Sequence, residues 1–311
     1  MSAGLTGIRL AVIGGDDREI YMIPELQRLG AYIVGVGFEK AAPMEGVTLL
    51  SSPIEAVAKA DVLLFPMYGT DERGGVKAKY SESAIVLNKE FLKEVPPHVP
   101  LFIGWARPAL KSAAELLGIQ VVETANLDQL AILNSIPSAE GAIQMAMEAS
   151  PLTIHGSESF VLGLGRCGWT LARTLRGMGA HVTGVARKPA DLARAIEMGL
   201  EAIHFSDLED RVGKADMIFN TVPHQILDKA LLEKLNKEAV IIDIASIPGG
   251  TDFEYAKVLG IKALLAPGLP GKVAPKAAGK ILAQVYPQLI LRHLTTSMNT
   301  SLRLRSGGDE V

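Results

Sequence analysis

Ser159–Phe160–Val161–Leu162–Gly163–Leu164–Gly165–Arg166–Cys167–Gly168 is the stretch that decides the fold of this chain. An apolar run ends in glycines spaced GxGxxG, and a segment with helical spacing, Trp169 to Arg176, follows at once. Met178–Gly179–Ala180–His181–Val182–Thr183–Gly184–Val185 then brings a second β-rich run. Strand, helix, strand in that order is one βαβ unit. In such a unit each glycine has a task. Gly163 permits the tight turn, Gly165 lets the backbone approach a pyrophosphate, and Gly168 lets the helix pack on the strand. Leu164, Arg166 and Cys167 complete the loop, and the helix start offers free N–H groups to phosphate oxygens. The plainer alternative is a turn that only joins strand to helix.

The first half of the chain opens in the same way. Ile8–Arg9–Leu10–Ala11–Val12–Ile13–Gly14–Gly15 leads through a helical segment to Leu29–Gly30–Ala31–Tyr32–Ile33–Val34–Gly35–Val36. The pattern written twice predicts an α/β protein with two doubly wound Rossmann-like domains, the second binding a dinucleotide. Gly14–Gly15–Asp16–Asp17 lacks the spaced glycines, and its two carboxylates would repel a pyrophosphate. It reads as a capped turn. Further strands are expected at 61–65, 99–104, 119–123, 202–205, 216–220, 239–244 and 261–265. The segment Leu127 to Glu148 reads as a helix broken near Pro137, because proline removes a helical hydrogen bond and pushes Ile136 out of the helical region. Residues 1–149 then form the first, substrate-binding domain with its helical linker. Residues 150–294 form the nucleotide domain, closing on a helix from Pro275 to about Leu294. The tail, 295–311, is expected to pack back on the first domain.

The end of the second strand distinguishes two cofactors. An NAD enzyme typically places Asp or Glu there, for the ribose hydroxyls. Here the positions read Val185–Ala186–Arg187–Lys188. Two cations suit the 2′-phosphate of NADP, Arg187 through planar contact with phosphate oxygens; a solvated basic turn is the alternative. Three loops at later strand ends carry small residues and prolines: Asn220–Thr221–Val222–Pro223, the loop holding Ser246, and the loop holding Gly268. They fit contact with ribose and nicotinamide, or serve simply as turns.

Composition narrows the classes. With 311 residues the chain suits two domains, and a net charge of −3 provides no basic field for nucleic acid. The single cysteine, Cys167, excludes an internal disulfide and a multi-cysteine metal site, and fits a reducing cytoplasm. No apolar run is long enough for a membrane span, so neither membrane nor metal is expected.

Longer motifs point further. Asp243–Ile244–Ala245–Ser246 with Pro248–Gly249–Gly250–Thr251–Asp252–Phe253 resembles the family of bacterial dipicolinate synthase A subunits. So do Ala266–Pro267–Gly268–Leu269–Pro270–Gly271, Val273–Ala274–Pro275–Lys276, Thr153–Ile154–His155–Gly156 and the linker Asn134 to Gly141. The resemblance implies NADP-dependent oxidation of dihydrodipicolinate to dipicolinate, made for endospores. It also implies a partner, the smaller flavoprotein-like B subunit, while a homo-oligomer is expected as well.

A dicarboxylate substrate, expected between the two domains, needs hydrogen-bond donors. Asn134, Ser135 and Ser138 are candidates beside the Pro137 break, Tyr68 and Thr70 follow a strand end, and Arg73 and Arg107 sit in loops. Glu140 is a candidate general base, and His224 follows the Asn220 loop. D-2-hydroxyacid dehydrogenases use a His near the last cofactor loop. After Ser246 this chain has only His293, read as a surface residue. Oxidation of a dihydropyridine ring creates aromaticity, so little acid–base help is required beyond loss of one proton. The sequence also permits a dehydrogenase of another small acid, either 2-hydroxy or amino, and an NADP-binding regulatory subunit.

Overall fold

The structure is a computed structural model that describes residues 4–306, with side chains through Thr295. Two compact units emerge, one running from the amino end through Leu130 and resuming at Pro275, the other spanning Ala131–Ala274.

The first unit is built on six strands: β1 (Arg9–Ile13), β2 (Tyr32–Val36), β3 (Val47–Leu50), β4 (Val62–Leu64), β7 (Leu101–Ile103) and β8 (Val121–Glu123). A short antiparallel pair, β5 (Gly75–Val76) and β6 (Ile85–Val86), sits apart from the sheet and was not foreseen from sequence. The large sheet is parallel, in the order β3-β2-β1-β4-β7-β8. Before the junction this unit carries the helices α1 (Asp17–Arg28), α2 (Pro53–Val57), α3 (Lys89–Lys93) and α4 (Pro108–Leu116).

In the second unit, α5 (Asp128–Ala149) enters from the junction and is followed by β9 (Glu158–Leu162), α6 (Arg166–Gly177), β10 (His181–Ala186), α7 (Pro189–Glu197) and β11 (Glu201–His204). Then come α8 (Leu208–Arg211), β12 (Met217–Asn220), α9 (Lys229–Lys234), β13 (Val240–Asp243), α10 (Phe253–Leu259), β14 (Lys262–Leu265) and α11 (Leu269–Val273). Its sheet runs β11-β10-β9-β12-β13-β14, again all parallel. Both sheets therefore reverse strand order between their first and fourth strands, the doubly wound arrangement. The central strands are buried on both faces, as parallel sheets demand. Val161, Phe219 and Ile242 join one apolar cluster, while their neighbours Phe160, Ile218 and Ile241 join another.

Two expectations need correction. Helix α5 is continuous through Pro137 and does not break there. The hydroxyls of Ser135 and Ser138 donate to the carbonyls of Ile132 and Asn134, at 2.6 and 2.8 Å. Ala139, Ala142, Ile143 and Ala146 hold the helix in the apolar cluster of the second unit. That packing outweighs a proline penalty of about 3 kcal/mol. The units consequently part at Leu130, not near Ser150.

The final helix, α12 (Pro275–Ser306), runs past the expected end and belongs to the first unit. Gly279 lets it cross α1 closely, since a Cβ there would meet the Arg18 carbonyl oxygen and lie 2.9 Å from Tyr21 Cβ. His293 is not a plain surface residue. Its ring packs edge-on against Phe102 at 5.5 Å, and burial pushes its pKa down. The expected packing of the tail's side chains beyond Thr295 lies outside the described residues.

Candidate functional site

Burial and backbone explain each glycine of the turn between β9 and α6. Gly163 has φ +89°, a conformation that L side chains rarely adopt. A Cβ on Gly168 would collide with the Gly163 carbonyl oxygen, so helix and strand touch there. Gly165 caps α6 in an extended conformation without a side-chain hydrogen bond, and a Cβ on it would meet nothing within 4 Å. Open space thus faces the free N–H groups of a twelve-residue helix. A helix start left open in this way suits a pyrophosphate by charge. Leu164 is buried, its side chain lying in the room left by Gly184, where a Cβ would sit 3.0 Å away. Arg166 is exposed at the helix start. Burial pushes the Cys167 thiol up, which leaves it protonated and unreactive.

The loop after β12 anchors this turn. Thr221 donates its hydroxyl to the carbonyls of Leu162 and Gly163, both at 3.0 Å. Asn220 is fully buried and committed: its Nδ2 donates to Val222 O and Asp243 Oδ2, and its Oδ1 accepts from Val222 N. Sequence reasoning gave no role to Asp243, also fully buried. Its carboxylate accepts from Asn220, from the N–H groups of Ala245 and Gly250, and from the Thr251 hydroxyl at 2.7 Å. One carboxylate therefore ties the Asn220 loop to the Ser246 loop. Ser246 itself is exposed, and Gly268, with φ +68°, caps α11. Pro223 is exposed, and Val222 lines a neighbouring pocket.

That pocket has a volume of about 350 Å³ and is also lined by Arg187, Phe205, Ser206, His224 and Gln225. Arg187 and Lys188 stand exposed at the end of β10, and neither side chain has an ion-pair partner among the described residues. Lys188 occupies the cap position of α7 with no side-chain cap bond. Residues that could hold the adenosine end of a dinucleotide are thus gathered in one place.

The expected substrate residues are more scattered. Asn134 lies on α5, and its buried Oδ1 has no hydrogen-bond partner. Ser135 is buried, 2.5 Å from the Thr170 hydroxyl of α6, so it joins two helices. The Ser138 hydroxyl is taken by the helix backbone, and Glu140 is exposed on the outer face of α5. His155 is exposed, its ring lying over Gly179. In the first unit, the Thr70 hydroxyl is buried without a partner. Arg107 reaches back to the Thr70 carbonyl at 3.3 Å, and Arg73 is exposed.

The first unit's own turn is capped, as expected. Asp16 accepts from Arg18 N, and Glu19 accepts from Asp16 N at 2.7 Å. Sequence reading did not foresee what accompanies that cap. Arg18 is buried and forks onto both Asp16 oxygens at 2.9 Å. Burial works to raise the Asp16 carboxyl, but Arg18 outweighs it and holds the group below its usual range. Glu19 lacks that pairing, and burial pushes it up to about 7.

Among the described residues, no cluster of His, Cys, Asp or Glu can hold a metal ion, and no helix is long and apolar enough to cross a membrane.

Comparison with known proteins matches this division of the chain. Residues 9–125 match the N-terminal domain of dipicolinate synthase A subunits, and residues 135–246 match the NAD-binding domain of D-isomer-specific 2-hydroxyacid dehydrogenases. The dipicolinate synthase A-subunit of Bacillus subtilis (strain 168) is 42% identical over 287 residues, covering 92% of this chain and 97% of the relative. The crystal structure of that subunit from Bacillus halodurans superposes with a TM-score of 0.87 at 40% identity, covering 92% of this chain and 99% of its own. The Bacillus subtilis structure gives the same TM-score at 41% identity, covering 94% and 99%. The second unit is thus a dehydrogenase domain for a nicotinamide cofactor, and the chain is an oxidoreductase.

Proposed function

Because this chain belongs to the family of dipicolinate synthase A subunits, we propose that it oxidises dihydrodipicolinate to dipicolinate with NADP as the hydride acceptor. The observation that carries the choice of NADP is the exposed, unpaired Arg187 and Lys188 at the end of β10, beside the pocket lined by Phe205 and His224. An Asp or Glu there would serve the ribose hydroxyls of NAD, and two cations serve a 2′-phosphate. The glycine turn and the N–H groups of α6 take the pyrophosphate, and Asp243 holds the two loops that border it.

When bound, NADP supplies the electron sink for one hydride. The chain's own work is to hold the ring and to take one proton. Thr70, with its buried and unpartnered hydroxyl, and Tyr68 beside it are assigned to binding or positioning the substrate. Ser135 and Ser138 are assigned to keeping α5 in place, and Glu140 has no partner that would position it as a base. The same reading carries a homo-oligomer, the smaller B subunit for its partner, and a cytoplasmic setting in a sporulating cell.

Purified protein mixed with dihydrodipicolinate and NADP should give a rise in NADPH absorbance, with a weaker rise when NAD replaces NADP. No rise with either cofactor, even with the partner subunit supplied, would overturn the reading.

A further inference from the structure

A second charged cluster lies in the first unit, outside the nucleotide site. It gathers at the C-terminal ends of β1 and β4, the two strands on either side of the point where strand order reverses. In open α/β sheets ligands bind at that point.

The Tyr68 ring has two cations on it. The Arg18 guanidinium carbon is 4.7 Å from the ring centroid and the Lys77 ammonium is 3.8 Å from it. Both cations lean on one acid, Asp16: Arg18 at 2.9 Å and Lys77 at 3.8 Å. Arg18 uses Nε and Nη2 for that contact, which leaves Nη1 for another acceptor. Glu19, a second carboxylate in the cluster, is buried with Asp16 N as its hydrogen-bond partner. The neighbouring Lys79 and Asp17 satisfy one another at 2.8 Å. Arg18 and Lys77 therefore share the one Asp16 carboxylate, and neither has another ion-pair partner among the described residues.

Two further features belong to the same edge. The loop that carries Tyr68 also carries the buried, unpartnered Thr70 hydroxyl. Its backbone packs against the loop after β7, where a Cβ on Gly69 would lie 3.0 Å from Trp105 N, and Trp105 leaves 48% of its surface exposed. Cations, a hydroxyl and a flat aromatic surface together suit a planar acid.

We propose that Arg18, Tyr68 and Lys77 form a carboxylate-binding site in the first unit, and that the acid it takes is the dicarboxylate substrate of the preceding reading. Tyr68 is the positioning residue, its ring holding both cations. Only the identity of the acid rests on the earlier reading; the site rests on the cluster.

The test is calorimetric titration of the full chain with dipicolinate, with and without NADPH, and with pyruvate and malonate as parallel titrants. Lys77→Gln and Tyr68→Leu change partly exposed side chains and leave the Arg18–Asp16 pair intact. Each should weaken dipicolinate binding by about tenfold or more, as loss of a charge-assisted contact predicts. NADPH affinity should not change, and Lys79→Gln should bind dipicolinate like the wild type. Equal dipicolinate affinity in wild type, Lys77→Gln and Tyr68→Leu would overturn the site. An equal loss in Lys79→Gln would overturn it too, by showing a diffuse field and no defined contact. So would a wild type that binds none of the three acids. If the wild type bound pyruvate or malonate but not dipicolinate, and Lys77→Gln abolished that binding, the site would stand and the assigned substrate would fall.

Discussion

Glu19→Gln should stabilise the first unit at neutral and alkaline pH and have little effect in mild acid. Glu19 is 3% exposed, and burial lifts its carboxyl from an ordinary 4.5 to about 7. Between those two values the folded chain keeps a proton that the unfolded chain has released. Raising the pH through that window therefore opposes folding. The loss begins near the unfolded value and is complete above the folded one. At about 1.4 kcal/mol per pH unit, the full effect comes to roughly 3–4 kcal/mol. Glutamine keeps an oxygen to accept from Asp16 N and carries no charge, so it escapes this cost. Asp16, Asp17 and Asp61 run the other way. Their pKa values are held down in the folded state, so they withdraw stability only in acid, as pH falls below their ordinary value of 3.8. Scanning calorimetry of wild type and variant at pH 5, 7 and 9 would resolve the difference. The Tm gap should widen with pH by about 5–10 °C, given a few degrees per kcal/mol for a unit of this size. A gap that stays constant with pH would refute the reasoning, because it would mean that Glu19 titrates like an exposed acid.

Other substitutions test the nucleotide unit. Arg187→Ala should weaken NADP binding by about tenfold or more and leave NAD binding nearly unchanged, measured by fluorescence titration with the reduced cofactors. Gly165→Asn should abolish cofactor binding without loss of stability, because Asn caps a helix as well as Gly does and its side chain would occupy the open space at the turn. Gly168→Ala should do the reverse of that and destabilise the unit by about 1–3 kcal/mol or more in urea unfolding, since its Cβ meets the Gly163 carbonyl.

What could be read from sequence was what is local. The glycine spacing at Gly163–Gly168 and the missing acid at Arg187–Lys188 depend on residues within one turn of each other, and the repeated strand-turn-helix pattern gave both sheets. Pro137 misled because a local penalty of about 3 kcal/mol was set against packing that no short window displays. Asp243 was unreadable as an anchor because its donors are spread along the loop that follows it, as far as Thr251, and include Asn220, 23 positions away. His293 was misjudged for a similar reason, its neighbour Phe102 lying on another element. The Arg18 cluster was hidden twice over. Tyr68 and Lys77 reach it only through the sheet, and the burial that sets Glu19 apart from Asp16 leaves no trace in residue order.

The two turns explain why one topology takes a nucleotide in one half and not in the other. Each β-strand ends in a glycine with positive φ, Gly14 in the first unit and Gly163 in the second, and each feeds a helix of twelve residues. Beyond Gly165 there is empty space and no capping side chain, so the helix N–H groups await an outside anion. Asp16 holds the corresponding cap position and caps its helix with its own side chain, while the Glu19 carboxyl folds back onto Asp16 N and fills the room beside Gly15. The first helix carries its own acids where the second would take a pyrophosphate. Emptying the first turn by Glu19→Ala would not create a nucleotide site, because the Asp16 carboxylate, held ionised by Arg18, would still face the phosphate. What remains to that edge is the cationic side of the cluster, Arg18 and Lys77 on Tyr68, and a carboxylate is small enough to meet it without displacing the cap.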